Sequence, residues 1–359
     1  MSYYVDSVEK FRALKTKEDI IVLSVESSCD ETSIAIVKNG REVLANIVSS
    51  QIEIHRRFGG VVPEVASRNH ITAISNIFNE ALMEAKIKKE DIDAVAVTYG
   101  AGLVGALLVG VNFAKGLAYS LNLPLIAVSH VHGHIAANYI SHKQLKPPFV
   151  CLMVSGGHTA LLRVEDYNKM TMLGTTVDDA IGEAFDKVAR VLGLSYPGGP
   201  EIDKLAASGE AKYKFVVSKS LKGSLDFSFS GIKTEVVNFV HNATQRKEHF
   251  NPADVACSFQ EAVTEELVVK AIRACKQEGI DKLVIAGGVG ANSKLKEKAL
   301  ASGEQEGIKV YSPVLKYCTD NSAMIGAMAY YMIRDGLGLA KLDLTAKPNV
   351  PLGDSEFHD

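Results

Sequence analysis

Short β-branched runs alternate with longer stretches of helical period along this chain, and the alternation occurs twice. The first block is a strand over residues 20–25, followed by a polar loop, Glu26-Ser27-Ser28-Cys29-Asp30-Glu31, and a second strand over 32–37. Asn39-Gly40, the signature dipeptide of a two-residue hairpin, leads into a third strand at about 42–48. Helical periodicity over about 67–86, a strand over 94–98, a glycine-rich turn, an apolar helix over about 103–121 and a strand over 125–128 follow. The second half opens in the same way. A strand over 149–154, the loop Ser155-Gly156-Gly157-His158, a strand over 159–164 and a third around 171–173 precede helices over 178–192 and about 254–277. A strand over 282–286 then feeds Gly287-Gly-Val-Gly-Ala-Asn292 and a further helix.

The halves share little residue identity, so what repeats is architecture. Two α/β lobes with glycine loops at strand ends describe a cleft that holds a phosphorylated ligand; two unrelated α/β domains are the plainer alternative. The length of 359 residues fits two such units at roughly 150 residues each. Lys+Arg minus Asp+Glu is 39 − 42 = −3, so no global positive field marks a nucleic-acid binder. The longest apolar run, 101–114, is broken by Gly and Asn and falls short of the ~18–20 residues that span a bilayer, and residues 1–19 lack the apolar core of a signal peptide. Five cysteines without a C-x-x-C argue against a disulfide framework and for a reducing compartment.

The sharpest chemical signal is in the histidines. Three of the ten fall in His130-Val131-His132-Gly133-His134. His130 and His134 are four apart, so one helical face presents both imidazoles to a single ion, unless the pair is only a surface or core feature, while His132 points elsewhere. A metalloprotease would carry Glu after the first His as its general base; Val131 stands there, and a peptidase would lack its water activator. In Ser155-Gly156-Gly157-His158 the glycines can take positive φ and let main-chain N–H groups approach an anion without a Cβ clash, unless the loop is only a tight hairpin. The adjacent carboxylates Asp30 and Glu31 suit a bound cation or acid–base work, or else a solvated turn.

Other motifs are weaker. Gly100-Ala-Gly102-Leu-Val-Gly105 fits G-x-G-x-x-G, but the next strand ends Val128-Ser129-His130 without the carboxylate that a dinucleotide site needs. The loop is read as close helix–strand packing. On 178–192, Ile181, Phe185, Val188 and Leu192 form a buried stripe, and Asp179, Glu183 and Asp186 share another face. Pro197-Gly-Gly-Pro200 is a rigid turn suited to wall a ribose. Ser230-x-x-Lys233 with Thr319-Asp320-Asn321 hints at a serine acyltransferase, but Glu235 stands where the third element requires Gly. Arg56, Arg57, Arg68 and His70 read as a solvated basic face.

Taken together, the segments 25–32, 59–64 with 66–68, His130 with His134, 154–159, 182–187 with 196–200, 226–234, 286–292 and 318–321 resemble the TsaD family of tRNA N6-adenosine threonylcarbamoyltransferases, once named O-sialoglycoprotein endopeptidases. The resemblance runs in order over about residues 20–335. It implies a duplicated α/β fold of the ASKHA (actin, hexokinase, heat-shock protein) type, two lobes around a central nucleotide cleft. The implied division is an extension at 1–19, an N-terminal lobe of 20–148 plus about 320–350, and a C-terminal lobe of 149–319. The implied activity, of enzyme class 2.3.1, moves threonylcarbamoyl from threonylcarbamoyl-AMP to N6 of adenosine 37 in tRNAs reading codons that begin with A.

By the same resemblance, His130, His134 and Asp320 hold one divalent ion per subunit, Fe(2+) or Zn(2+). Met153, Val154, Ser155, Gly156, Gly157, Asp186, Gly199, Asp203 and Asn292 contact the adenylate, and ATP, ADP or AMP can occupy the cleft. Glu31, with Asp30, is the candidate general base. The implied partners are tRNA, a TsaB-type paralogue and a TsaE-type ATPase, in the cytoplasm and without a membrane. Ala101 in place of a usual Pro, Ser27 in place of a common Thr, and the third imidazole of His132 depart from the family pattern. The rival readings are an ATP-dependent small-molecule phosphotransferase, which leaves the histidine pair unused, and a nucleotide-gated scaffold, which needs no metal set.

Overall fold

The computed structural model of the chain describes residues 3–217, 221 and 223–352; residues 1–2 of the expected extension lie outside them. The strands are β1 (Ile21–Glu26), β2 (Glu31–Lys38), β3 (Glu42–Ser50), β4 (Ala94–Gly100), β5 (Leu125–Ser129), β6 (Phe149–Val154), β7 (Thr159–Asp166), β8 (Lys169–Thr175), β9 (Lys282–Ala286), β10 (Lys309–Tyr311) and β11 (Leu339–Ala340). They form two sheets, ordered β11-β5-β4-β1-β2-β3 and β10-β9-β6-β7-β8. In each, a hairpin-linked antiparallel trio (β1-β2-β3, β6-β7-β8) carries parallel strands beside its first member (β4 then β5, β9 then β10). The repeat inferred from pattern is therefore a repeat of strand order.

The helices are α1 (Tyr3–Leu14), α2 (Ile52–Arg56), α3 (Pro63–Ala85), α4 (Val104–Leu121), α5 (His130–Ser141), α6 (Ile181–Val191), α7 (Gly198–Ala206), α8 (Ser230–Arg246), α9 (Pro252–Glu278), α10 (Ser293–Glu306) and α11 (Ser322–Asp335). Alternation along the strands divides the core. Val22, Val37, Ala96, Phe149, Cys151 and Met153 point inward onto α5 and α11, which lie between the sheets. Leu23, Val25 and Val97 point outward onto α3 and α4, and Val150, Leu152 and Val154 onto α6 to α10. Strands buried on both faces read as continuous apolar runs, as this layering requires.

Local chemistry sets the boundaries. Asn39 and Gly40 both take positive φ, 53° and 67°, as a type I′ hairpin demands. Pro63 opens α3 ahead of the expected residue 67, because a first-turn Pro loses no helical hydrogen bond. α6 starts at Ile181 rather than 178, since Asp178 turns away to accept from Phe229 N (2.8 Å) and Ser230 Oγ (2.7 Å). Asp179 consequently leaves the helical face assigned to it with Glu183 and Asp186, and pairs with Lys233. With Ser230 on Asp178 and Lys233 on Asp179, the S-x-x-K pair makes no nucleophile–base contact.

α4 reaches 18 residues and, by length and composition, is apolar enough to cross a membrane, more than the 101–114 run alone suggests. Its Ala106, Gly110, Ala114 and Ala118 side is nevertheless buried in the fold, as core-helix packing predicts. The first residues are likewise part of the fold. Phe11 and Leu14 of α1 are buried, and Arg334 donates to the Lys15 carbonyl at 2.8 Å.

Candidate functional site

The two helices between the sheets begin side by side. His130 is the first residue of α5, and Asp320 stands two residues before α11, whose N-cap Asn321 accepts from Met324 N. Gly133 makes the approach possible, because a Cβ there would lie 2.6 Å from Ile325 Cδ1. The result is a triangle of ligand atoms: His134 Nε2 to His130 Nε2 3.1 Å, His134 Nε2 to Asp320 Oδ1 3.2 Å, and His130 Nε2 to Asp320 Oδ1 3.4 Å. Two donors about 2.0–2.1 Å from a tetrahedral ion are separated by about 1.63 times that, roughly 3.3–3.4 Å. Spacing and donor types together fit a bound transition ion with one or more open positions. Among the described residues this is a possible His-His-Asp metal site.

A residue outside the motif logic holds the triangle. Glu26, at the end of β1, is fully buried and lies 3.1 Å from His130 Nδ1, the ring nitrogen facing away from the triangle. It also accepts from Ser28 N and Thr98 Oγ1, each at 2.5 Å. Such a carboxylate fixes the tautomer and raises the basicity of a metal-ligating imidazole. Burial opposes charge on all three groups, but the attraction between His130 and the two carboxylates outweighs it and the repulsion between Asp320 and Glu26, holding His130 well above and Asp320 well below their usual ranges and lowering Glu26. The sequence signal was the position alone: a carboxylate ending the first strand, next to the acidic loop.

The triangle opens on a cleft of about 440 Å³ between the lobes. One wall is Ser28, Cys29 and the Ala101–Leu103 turn; the other is Ser155, Gly156, Gly157 and His158, with Glu183, Asp186 and Tyr196 at the rim. Neither Gly156 nor Gly157 uses the positive φ open to a glycine. Their role is emptiness: a Cβ on either would meet nothing within 4 Å and would project into space a ligand can use. The loop is tight as well, since Ser155 N donates to His158 O at 2.8 Å, and α6 begins against it at Gly182, where a Cβ would sit 2.6 Å from Ser155 O. His158 is pushed down to about 4 by burial, with His130 and His134 adding repulsion, so it faces the cleft as a neutral ring.

The remaining candidates divide. Asp186 lines the cleft and accepts from Gly198 N at 2.8 Å. Met153 and Val154 are buried at the end of β6, beneath the glycine loop. Asn292 caps α10 by accepting from Leu295 N and donates to Gln260, and Asp203 accepts from Ser293. These two and Gly199 lie outside the residues lining the cleft. Asp30 is buried, with Tyr196 Oη 3.4 Å from Oδ2. Burial pushes Glu31 up to about 9, helped by Asp320 and Asp30, so without a nearby cation it keeps its proton at neutral pH. His132 faces away into a separate cavity. The basic face is not all solvated: His70 is fully buried between Thr32 Oγ1 and Cys29 O, and Arg56 reaches across the lobes to Tyr196 O at 3.0 Å. Gly102, in the rejected dinucleotide motif, is a packing residue whose Cβ would lie 2.6 Å from Ser28 O.

Comparison with known proteins adds three findings. Residues 42–327 match the family model described as TsaD: tRNA N6-adenosine threonylcarbamoyltransferase. A protein of that name from Clostridium perfringens (strain SM101 / Type A) is 58% identical over 335 residues, 93% of this chain and 98% of its own length; one from Clostridium novyi (strain NT) is 53% identical over 94% of this chain and 99% of its own. The crystal structure of T. kodakarensis HypF superposes with a TM-score of 0.60 at 15% identity over 90% of this chain, which spans about half (49%) of that one. At that identity the likeness speaks for the two-lobed ASKHA-type fold alone.

Proposed function

The chain belongs to the TsaD family of tRNA N6-adenosine threonylcarbamoyltransferases, and from that premise we propose how its cleft carries out the transfer. The protein is a transferase acting on tRNA, in t6A biosynthesis. Its donor in this proposal is threonylcarbamoyl-AMP and its acceptor N6 of adenosine 37 in tRNAs reading codons that begin with A. The observation that carries the reading is the juxtaposition of the His130–His134–Asp320 triangle with the empty Ser155–Gly157 loop across one cleft.

His130, His134 and Asp320 would hold one Fe(2+) or Zn(2+), which when bound supplies Lewis-acid stabilisation of oxygen charge. The Gly156 and Gly157 amides cradle the phosphate, where no side chain crowds it, while Ser155, whose own N–H is committed to His158 O, holds the loop in shape. Asp186 at the rim takes a ribose hydroxyl, and Met153, Val154, Gly199, Asp203 and Asn292 support the nucleoside side. The N6 lone pair attacks the carbamoyl carbon, its bond to the phosphate oxygen breaks, and AMP leaves. Glu31 or Asp30 takes the N6 proton; burial, Asp320 and Asp30 favour the protonated form of Glu31, and a cation held by the triangle would favour the ionised form that this role needs.

The lobes divide in this reading as 20–148 with about 320–350, and 149–319, in keeping with the strands each sheet recruits. A TsaB-type paralogue and a TsaE-type ATPase complete the cytoplasmic assembly, since a chain of net charge −3 lacks the field to hold tRNA alone. Nucleoside analysis of tRNA incubated with the protein, its partners and threonylcarbamoyl-AMP tests the proposal. Threonylcarbamoyladenosine at position 37 is expected, and its absence refutes the reading.

A further inference from the structure

Arg56 and Arg57, which read from sequence as part of a solvated face, stand at the mouth of the cleft. α2 ends at Arg56, and the chain then turns back on it: Phe58 N and Gly60 N both donate to His55 O, at 3.0 and 3.3 Å, with Gly59 and Gly60 at φ 69° and 154°. The turn lays this edge of the N-terminal lobe on the C-terminal lobe. Arg190 of α6 donates to Gly59 O at 2.6 Å, and Arg56 Nε donates back to Tyr196 O at 3.0 Å. These four residues line a cavity of about 250 Å³, and Gly59, Arg190 and Tyr196 also line the cleft.

Three observations give this rim a ligand class. A guanidinium has five N–H donors; Arg56 commits Nε to Tyr196 O and Nη1 to Glu53, and Arg190 commits Nη2 to Gly59 O, so both keep donors in reserve. The Arg57 guanidinium is exposed and pairs with no carboxylate among the described residues. Phe58 is 57% exposed, a ring left in solvent one residue from Gly59. Asp186, the carboxylate on the cavity wall, accepts from Gly198 N at 2.8 Å. In a chain of net charge −3, three arginines and a bare ring gathered at one mouth suit a strand that offers both phosphates and base faces. An enzyme that works on a base draws it out of its stack, which leaves the neighbouring bases without partners.

Resting on the transferase reading, we propose that this rim docks the RNA strand that flanks the target adenosine. Arg56, Arg57 and Arg190 take backbone phosphates, and Phe58 stacks on a flanking base. Arg57 and Phe58 are the residues to change, because both side chains are exposed and their loss leaves the cross-lobe contacts in place. In the complete assembly with its partners, Phe58→Ala should weaken binding of fluorescently labelled tRNA about tenfold by anisotropy. Phe58→Tyr should bind as the parent does, and Phe58→Leu as weakly as Phe58→Ala, since a ring face and not apolar bulk is required. Arg57→Gln should bind severalfold more weakly and flatten the slope of log K against log salt by about 0.7. Affinity for AMP by isothermal titration and melting temperature should not change in any of them. Parental tRNA binding by both Phe58→Ala and Arg57→Gln overturns the proposal, and Phe58→Leu that matches Phe58→Tyr overturns the stacking. Weakened capture of a partner protein, with tRNA affinity parental once that partner is saturating, would make the rim a protein interface and also overturn it. Binding is read without transfer, so a parent assembly that binds tRNA through these residues but leaves it unmodified refutes the transferase reading and upholds this one.

Discussion

The same topological position is used in opposite ways in the two lobes. The loop joining β1 to β2 is filled: Glu26, Ser27, Ser28 and Asp30 are buried, and the carboxylate of Glu26 is committed to Ser28, Thr98 and His130. The loop joining β6 to β7 is left empty, with two exposed glycines whose missing side chains would meet nothing. One loop braces a cluster of ligating side chains; the other vacates the space opposite. A duplicated scaffold thus becomes a site with a rigid charged wall and a bare amide wall, and the difference lies in side-chain volume and charge rather than in strand order.

The largest effect should come from the cluster that the filled loop braces. His134→Ala removes one vertex of the triangle, and loss of several kcal/mol of charge stabilisation lowers transfer on the order of a thousandfold, read in single-turnover assays with threonylcarbamoyl-AMP. Glu26→Gln keeps the shape but removes the charge behind His130; metal affinity should fall about 10–100-fold in a competition titration against a chelator. On the empty loop, Gly156→Val should weaken adenylate binding by about tenfold, or 1.4 kcal/mol, by isothermal titration, with little change in melting temperature because the new methyls enter open space.

The smallest effect is in pH dependence. His158 stays neutral in the fold down to about pH 4, whereas its unfolded counterpart takes a proton near 6.5. The unfolded state therefore binds more protons in that window, and stability falls as pH drops through it. His158→Gln should flatten that slope by on the order of 1–2 kcal/mol between pH 6.5 and 4, measured as the difference from the parent in urea titrations.

What could be read without the structure follows from which physical signals are local. The strands, the Asn39-Gly40 turn and the spacing of His130 and His134 are set by neighbours in sequence, and the elements stand close to where pattern puts them. The meeting of His134 with Asp320 depends on α5 and α11 touching at Gly133, which no local period encodes; family resemblance supplied it instead. Glu26 looks like any strand-end carboxylate until its partners are in place. His70, grouped with arginines as surface, is buried because α3 packs onto β2, a tertiary fact. Of the two freedoms that glycine offers the loop, Gly156 and Gly157 use the missing Cβ and not positive φ, a choice that only the folded backbone shows.

Metal content per chain tests the central claim most directly. The parent protein, purified and reconstituted with Fe(2+) or Zn(2+) and then dialysed, should retain one ion per chain by elemental analysis. His130→Ala, His134→Ala and Asp320→Ala should each retain almost none at unchanged melting behaviour of the apo forms. Equal retention by the parent and all three variants would contradict the assignment of that ion to this site.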